Sequence, residues 1–344
     1  MQEIRRPRLP RSVDLEGRGR RIGIVNRREF LTGTAAASLA LALDPPAFAA
    51  RLGGTGVAFV TADLESRVVL LELASGTIRG RIRTASGPRS IEAVHGRTAV
   101  VAHTEHGLVT LIDSVPRKIR AELDGFESPR YTAVHPSADL VYLTDSAAEE
   151  VVTIDAVRGR ILARARVPGP ARHIGVSIDG RTLWASLGTA ATRIAVLDNG
   201  NPRRPQFEHT IAPPFLAHDV VFAPDGRTVW VTSGSERRIA LFRGERRPSR
   251  VLASGAAPQH VTFARRKVFV ACGDDGVVHR HRLDGERVRE ARVPVGSYNV
   301  TFGWGQVVTP SLTDGTVSLL DRNGRVRVVR RVARVAHDAC ILVT

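Results

Sequence analysis

A run of mostly apolar residues, ending in a small or polar one in all but the copy at 183–187, recurs seven times, at 57–61, 99–103, 141–145, 183–187, 229–233, 268–272 and 307–311. Successive copies start 42, 42, 42, 46, 39 and 39 residues apart. The surroundings repeat as well. In the clearest copies a short turn, often Asp-Gly, leads into the run; a polar loop, a strand of the form V-x-x-I-D and an arginine-rich strand follow. Apolar residues alternate, or run for four to six positions between turn signals, which is the behaviour of strands. No convincing amphipathic helix lies after residue 50. A period near 42 with four strands per unit is that of propeller blades, whose sheets bury their faces only by stacking on neighbours. Seven units use up the chain to residue 344. The expected fold is therefore all-β, a seven-bladed β-propeller of four-stranded antiparallel blades.

The copies "IDGRTLWASLGTAATRIAVLDNG" and "APDGRTVWVTSGSERRIALFRG" carry a further likeness. The second resembles the YVTN-type β-propeller repeat, roughly SPDG-x-x-x-YVAN followed by a V-S-V-I-D strand. The resemblance covers residues 56–344. It is strong around Asp179-Gly180 and Asp225-Gly226 and degenerate in the last two units, where the turn is lost at 264–267 and 303–306. Such a resemblance implies the fold and leaves function to the residues displayed on it. It also implies how the ring closes. The terminal "DACILVT" matches the innermost strand of a unit, as "DVVFAPDG" does, whereas the first strand at 57–61 matches the second strand of a unit. The last residues should complete the blade begun by residues 57–84, leaving no open seam.

Residues 1–49 read as a separate segment. Arg27-Arg28, Phe30-Leu31, a modest Ala/Leu run and Ala47-Phe48-Ala49 follow one another in order. This resembles a twin-arginine export signal with cleavage near Ala49. The apolar run is shorter than the ~20 residues a membrane-spanning helix needs, so no permanent span is expected. Translation starts at Met1 or at Val25. The segment from 50 to 344 is the propeller, with a periplasmic or extracellular location expected.

The chain carries fifty basic residues, only two of them lysine, and a net charge of +16. Removal of residues 1–49 leaves it basic. The arginines concentrate on outermost strands (Arg79, Arg81, Arg83; Arg158, Arg160, Arg164, Arg166; Arg287, Arg289, Arg292; Arg325, Arg327, Arg330, Arg331). Charge on an exposed edge discourages edge-to-edge pairing, so the rim reads as solvated and the protein as a monomer. A nucleic-acid partner is possible on charge and not favoured, because aromatics are only 5% of residues and offer no stacking platform. Cys272 and Cys340 read as small buried hydrophobes.

Propellers bind ligands where the loops entering the innermost strands converge. The two residues preceding each innermost strand are Arg89-Ser90, Arg130-Tyr131, Arg172-His173, His218-Asp219, Gln259-His260, Tyr298-Asn299 and His337-Asp338. All are polar, and the strands that follow are apolar. The repeated Ala-His-Asp triplets at 217–219 and 336–338 fall at this one position, three blades apart. Three readings compete. In the first, polar groups satisfy backbone ends at a wet mouth. Arg89, Arg130 and Arg172 suit a small carboxylate or phosphate ligand, with His218 or His337 as acid or base. Alternatively His173, His218, His260 and His337, with His103 nearby, hold a metal. His279-Arg280-His281 is a weaker metal pattern on a strand. Asp113, Asp155, Asp198 and Asp321 end third strands as turn residues.

No cofactor motif is evident, and no nucleophile elbow or phosphate-binding glycine loop occurs. The expected activity is non-enzymatic binding of a small anionic molecule or a protein partner. The alternatives are a metal-binding propeller and a channel-mouth enzyme of lactonase-like or quinoprotein-dehydrogenase-like type.

Overall fold

The computed structural model describes residues 55–244 and 247–344. The segment expected to be an export signal, with its expected cleavage point, lies outside the described residues. Among the described residues twenty-eight strands, β1 to β28, form seven four-stranded antiparallel sheets. Blade 1 has the order β28-β1-β2-β3, joining β28 (Ala339–Val343) to β1 (Gly56–Ala62), β2 (Arg67–Glu72) and β3 (Ile78–Arg83). Blades 2 to 7 each take four consecutive strands. Their innermost members are β4 (Ser90–Val94), β8 (Pro129–Val134), β12 (Ala171–Val176), β16 (Val220–Phe222), β20 (Pro258–Ala264) and β24 (Thr301–Gly303). The only helical pieces among the described residues are two three-residue 3-10 turns.

The closure expected from the two ends is present. β28 pairs with β1 from Gly56↔Val343 to Val60↔Ala339, and Thr55 and Thr344 exchange two backbone hydrogen bonds beyond it.

The apolar runs are explained by burial on both faces. Every residue of β1 is buried, and its side chains alternate between two cores. Ala58, Val60 and Ala62 pack against blade 7, while Val57 and Phe59 pack against blade 2. Around the ring each apolar cluster joins two adjacent blades, giving seven inter-blade cores among the described residues. Outer strands behave differently. In β3, Arg79, Arg81 and Arg83 are exposed, and their alternation with Ile78 and Ile82 is that of a strand covered on one side.

The innermost strands crowd together. A Cβ on Gly175 would lie 2.5 Å from the Val220 carbonyl oxygen of the next blade, so glycine is required for the backbones to approach. The two degenerate turns are still tight hairpins. Arg265 (φ 59°) and the Trp304-Gly305 pair (φ 52° and 72°) supply the left-handed backbone that Asp-Gly supplies elsewhere.

Candidate functional site

The paired residues before the innermost strands separate in space. Ser90, Tyr131, His173, Asp219, His260, Asn299 and Asp338, the second of each pair, line a central channel of about 380 Å³. None of the first residues contributes to its wall. Alternation along an extended chain is one cause. A second is a register shift in β8, β12 and β20, where Arg130-Tyr131, Arg172-His173 and Gln259-His260 sit in bulges against the neighbouring strand. A bulge re-aims the side chains it carries.

Hydroxyls on the adjoining blade pin the backbone at these paired residues. Thr61 Oγ1 donates to the Arg89 carbonyl (2.9 Å), Thr144 to Arg172 (2.5 Å), Ser186 to His218 (2.8 Å) and Thr232 to Gln259 (2.6 Å). The donors all stand within the last two residues of the second-strand runs. Each reaches into the following blade, so the site backbone is held by contacts between neighbouring blades.

Three histidines from consecutive blades converge. Ligand nitrogens of His173, His218 and His260 all lie within 4.8 Å of one another. The His173 and His218 ring centroids are 4.1 Å apart, and those of His173 and His260 are 4.9 Å apart. His173 is 1% exposed and neither ring nitrogen has a partner. His218 Nδ1 meets the Thr189 carbonyl at 3.2 Å, which fixes the proton there and leaves buried Nε2 as an unpartnered lone pair. His260 Nδ1 faces Asp219 Oδ2 at 3.5 Å, so its Nε2 is the free end too. Tyr131 stacks on His173 at 4.0 Å. Burial, then the neighbouring His218, His260 and Arg172, hold His173 well below its ordinary value. Burial and then His260 bring His218 down to about 4, although Asp219 and the Thr189 carbonyl act the other way. Both rings are therefore neutral at physiological pH, the form that ligates a metal.

The other sequence candidates have different partners. His103 is buried, with Nδ1 on the Ser86 carbonyl and Nε2 on Thr110 Oγ1, both at 2.9 Å, so both nitrogens are already used. His337 turns away from the cluster, and its Nδ1 lies 3.3 Å from Asp63 Oδ2. The two Ala-His-Asp triplets thus share a position and not an environment. Tyr298 hydroxyl donates to Asp274 (2.7 Å), and the Asn299 amide donates to the His337 carbonyl (2.9 Å). His279 contacts Cys272 (3.7 Å) and Glu290 (3.2 Å), while His281 bonds the Gly285 carbonyl (3.0 Å).

The repeated aspartates do share a role. Asp219 accepts from Val220 N (2.9 Å) and, in the next blade, Val261 N (3.4 Å). Asp338 accepts from Ala339 N (2.8 Å) and, in the next blade, Ile91 N (3.1 Å). Each staples two innermost strands at the mouth. Asp338→Ala is expected to cost about 1–3 kcal/mol, the price of stranding buried amides, and Asp338→Asn less because an oxygen acceptor remains. Equal melting temperatures for wild type and D338A would sink this assignment.

One channel residue that the paired-position reasoning missed is Glu92. Burial, reinforced by Asp338 and opposed by the Ala93 amide, pushes its carboxyl up to about 7. It stands two positions into β4, in a strand read only as apolar.

No protein-family profile matches the chain, and none of the curated proteins does. Solved structures do match in fold. A functionally unknown protein from Desulfotomaculum acetoxidans aligns with a TM-score of 0.73 at 12% identity, covering 83% of this chain and 98% of that one. Hydrazine synthase from Kuenenia stuttgartiensis gives 0.67 at 14% identity, covering 77% and 92%. Apo AztD from Citrobacter koseri gives 0.67 at 12% identity, covering 84% and 98%. At such identities the likeness is one of fold, a seven-bladed propeller over most of each chain's length.

Proposed function

We propose that this propeller binds a late first-row transition-metal ion, zinc or copper, through His173, His218 and His260. The observation that carries the reading is the convergence of three histidines whose ligand nitrogens are within 4.8 Å, with His173 and His218 Nε2 buried and unpartnered. Leaving buried polar atoms unsatisfied is costly, and a cation accepting those lone pairs removes the cost. Three imidazoles with a fourth position open is an arrangement that suits such ions. Metal–nitrogen bonds of about 2.0–2.1 Å require nitrogens roughly 3.3 Å apart, so the rings need to close by up to about 1.5 Å from separations of at most 4.8 Å. Asp219 beside His260 Nδ1 and the Thr189 carbonyl beside His218 Nδ1 orient both rings with Nε2 inward, as outer partners of metal-bound histidines do.

The N-terminal pattern supports an exported protein acting outside the cytoplasm. The twin-arginine route carries folded proteins, so a folded-state site of this kind is compatible with loading before export. The YVTN-type resemblance supports the scaffold and leaves the ligand to these side chains.

Zinc titration of the chelator-treated protein tests the reading. One ion per chain is expected, with cobalt giving visible absorption of a nitrogen-rich site. His173→Ala should lower affinity at least ~100-fold and Asp219→Asn roughly 10-fold. Zinc binding that is absent, or unaltered in His173→Ala, His218→Ala and His260→Ala, overturns it.

A further inference from the structure

The three arginines beside the histidines sit unlike the exposed arginines of the rim, several of which have carboxylate partners: Arg120 with Asp113, Arg158 with Asp155, Arg164 with Glu150. Among the described residues no carboxylate lies within ion-pair distance of Arg89, Arg130 or Arg172. They occupy one repeat position on blades 2, 3 and 4, and Arg130 is close enough to Arg172 and Arg89 for their charges to repel. All three are half-buried, and Nε of Arg130 and of Arg172 is buried with no partner. Their backbones are fixed by the preceding blade, through Thr61 to Arg89, Ser90 to Arg130 and Thr144 to Arg172. The crescent is thus a pre-positioned set of donors lacking an acceptor.

This crescent adjoins the histidines. Arg172 precedes His173 in the chain, and its guanidinium carbon lies 5.9 Å from the centre of the Tyr131 ring that stacks on His173. Arg172 acts electrostatically on both His173 and His218. A divalent ion on three neutral imidazoles would add two positive charges next to three guanidiniums. In a partly desolvated mouth that repulsion is large unless an anion bridges the two groups. Guanidinium forks match the paired oxygens of carboxylates and phosphates.

We infer that the ligand recognised at this mouth is a metal ion together with a small polyvalent oxyanion, the metal on His173, His218 and His260 and the anion on Arg89, Arg130 and Arg172. This rests on the metal reading above. The anion supplies the ion's remaining coordination position, so metal and anion binding are coupled reciprocally.

Calorimetric titration of citrate and of inorganic phosphate, each into metal-free and zinc-loaded protein, tests the inference. The zinc-loaded protein should bind one of the two at least tenfold tighter than the metal-free protein, and whichever gains more assigns the anion as carboxylate or phosphate. Arg130→Gln/Arg172→Gln, checked for an unchanged melting temperature, should lose at least tenfold in anion affinity while its zinc titration in anion-free buffer stays at least as tight. Should that double variant fail to fold, Arg130→Lys and Arg172→Lys singly should each lose anion affinity. His173→Ala should abolish the zinc effect and keep the weak anion binding of the metal-free state. Normal zinc binding with anion affinity indifferent to zinc, or to the arginines, overturns the inference. A flat zinc titration instead overturns the metal reading, and anion binding that still depends on the arginines would then confine the mouth to an anion site.

Discussion

Deleting residues 339–344 is expected to abolish the folded protein rather than fray one end. Those residues form the innermost strand of blade 1, between the first strand of the ring and the channel. Cys340 and Leu342 belong to the core shared with blade 2, and Ala339 and Ile341 to the core shared with blade 7. Burying a side chain such as Ile341 or Leu342 contributes about 1.5–3 kcal/mol, and five ladder pairings go with it. The deletion also opens a ring whose other five junctions rely on circular packing. Against a typical net stability of about 5–15 kcal/mol, the combined loss is decisive. Size exclusion and thermal melting of the truncated chain should show aggregation or no cooperative transition. Ile341→Ala, which removes one side chain and keeps the strand, should still melt cooperatively with a loss of about 2–5 kcal/mol. A truncated protein with the wild-type melting temperature would mean the ring does not depend on this closure.

The fold was legible because a repeat states the same physical requirement seven times. A second strand buried on both faces must be largely apolar, and β1 reads so at every position from Val57 to Val60. The third strands end in aspartates that close turns, as Asp155 does on the Arg158 amide (2.9 Å). Even where the Asp-Gly signal was lost, Arg265 and Trp304 take the same left-handed backbone, so the unit survives a change of residue type. The site was legible only as a list of positions. Sequence placed His173, His218, His260, His337 and His103 near one end on equal terms. Which of them meet depends on the bulges in β12 and β20 and on the direction each ring turns, and neither leaves a periodic trace. His337 illustrates this. It is the repeat equivalent of His218, yet Asp63 is there to hold it, whereas Thr189 and Gly234 adjoin His218 and leave it facing His173. Glu92 escaped because one acid in an apolar strand looks like noise until the strand is seen to line a channel.

Metal-free protein should lose several kcal/mol of stability between pH 6.5 and about 4.5. Burial is the first cause that depresses His173, His218 and His281, with His218 and His281 each brought to about 4. For a histidine lowered on folding, the unfolded chain takes up the proton first as pH falls through 6.5. Stability is therefore full above that value and declines until the folded group titrates as well. A drop from 6.5 to about 4 corresponds to roughly 3 kcal/mol per group. Glu92 acts in the opposite sense. Raised from 4.5 to about 7, it is protonated in the folded state while ionised in the unfolded one, so it costs stability as pH rises through that window. One raised carboxyl offsets about one lowered histidine, and Asp338, also raised chiefly by burial, offsets part of another. The histidines still prevail in number. Melting temperatures in chelator-containing buffers from pH 7.5 to 4.5 should fall steadily, and His218→Asn and His281→Asn should each flatten the slope. Adding zinc separates the two. His218 faces His173, His260 and Asp219 at the mouth, so H218N should also erase any zinc-induced rise in melting temperature at pH 7.5. His281 lies in β22 (Val277–Arg282), against Trp230, His279 and Arg287, so H281N should keep that rise while losing the same share of acid sensitivity. A melting temperature that is flat down to pH 4.5, or the same slope in both variants as in wild type, would show that these rings are not neutral and buried as the geometry requires.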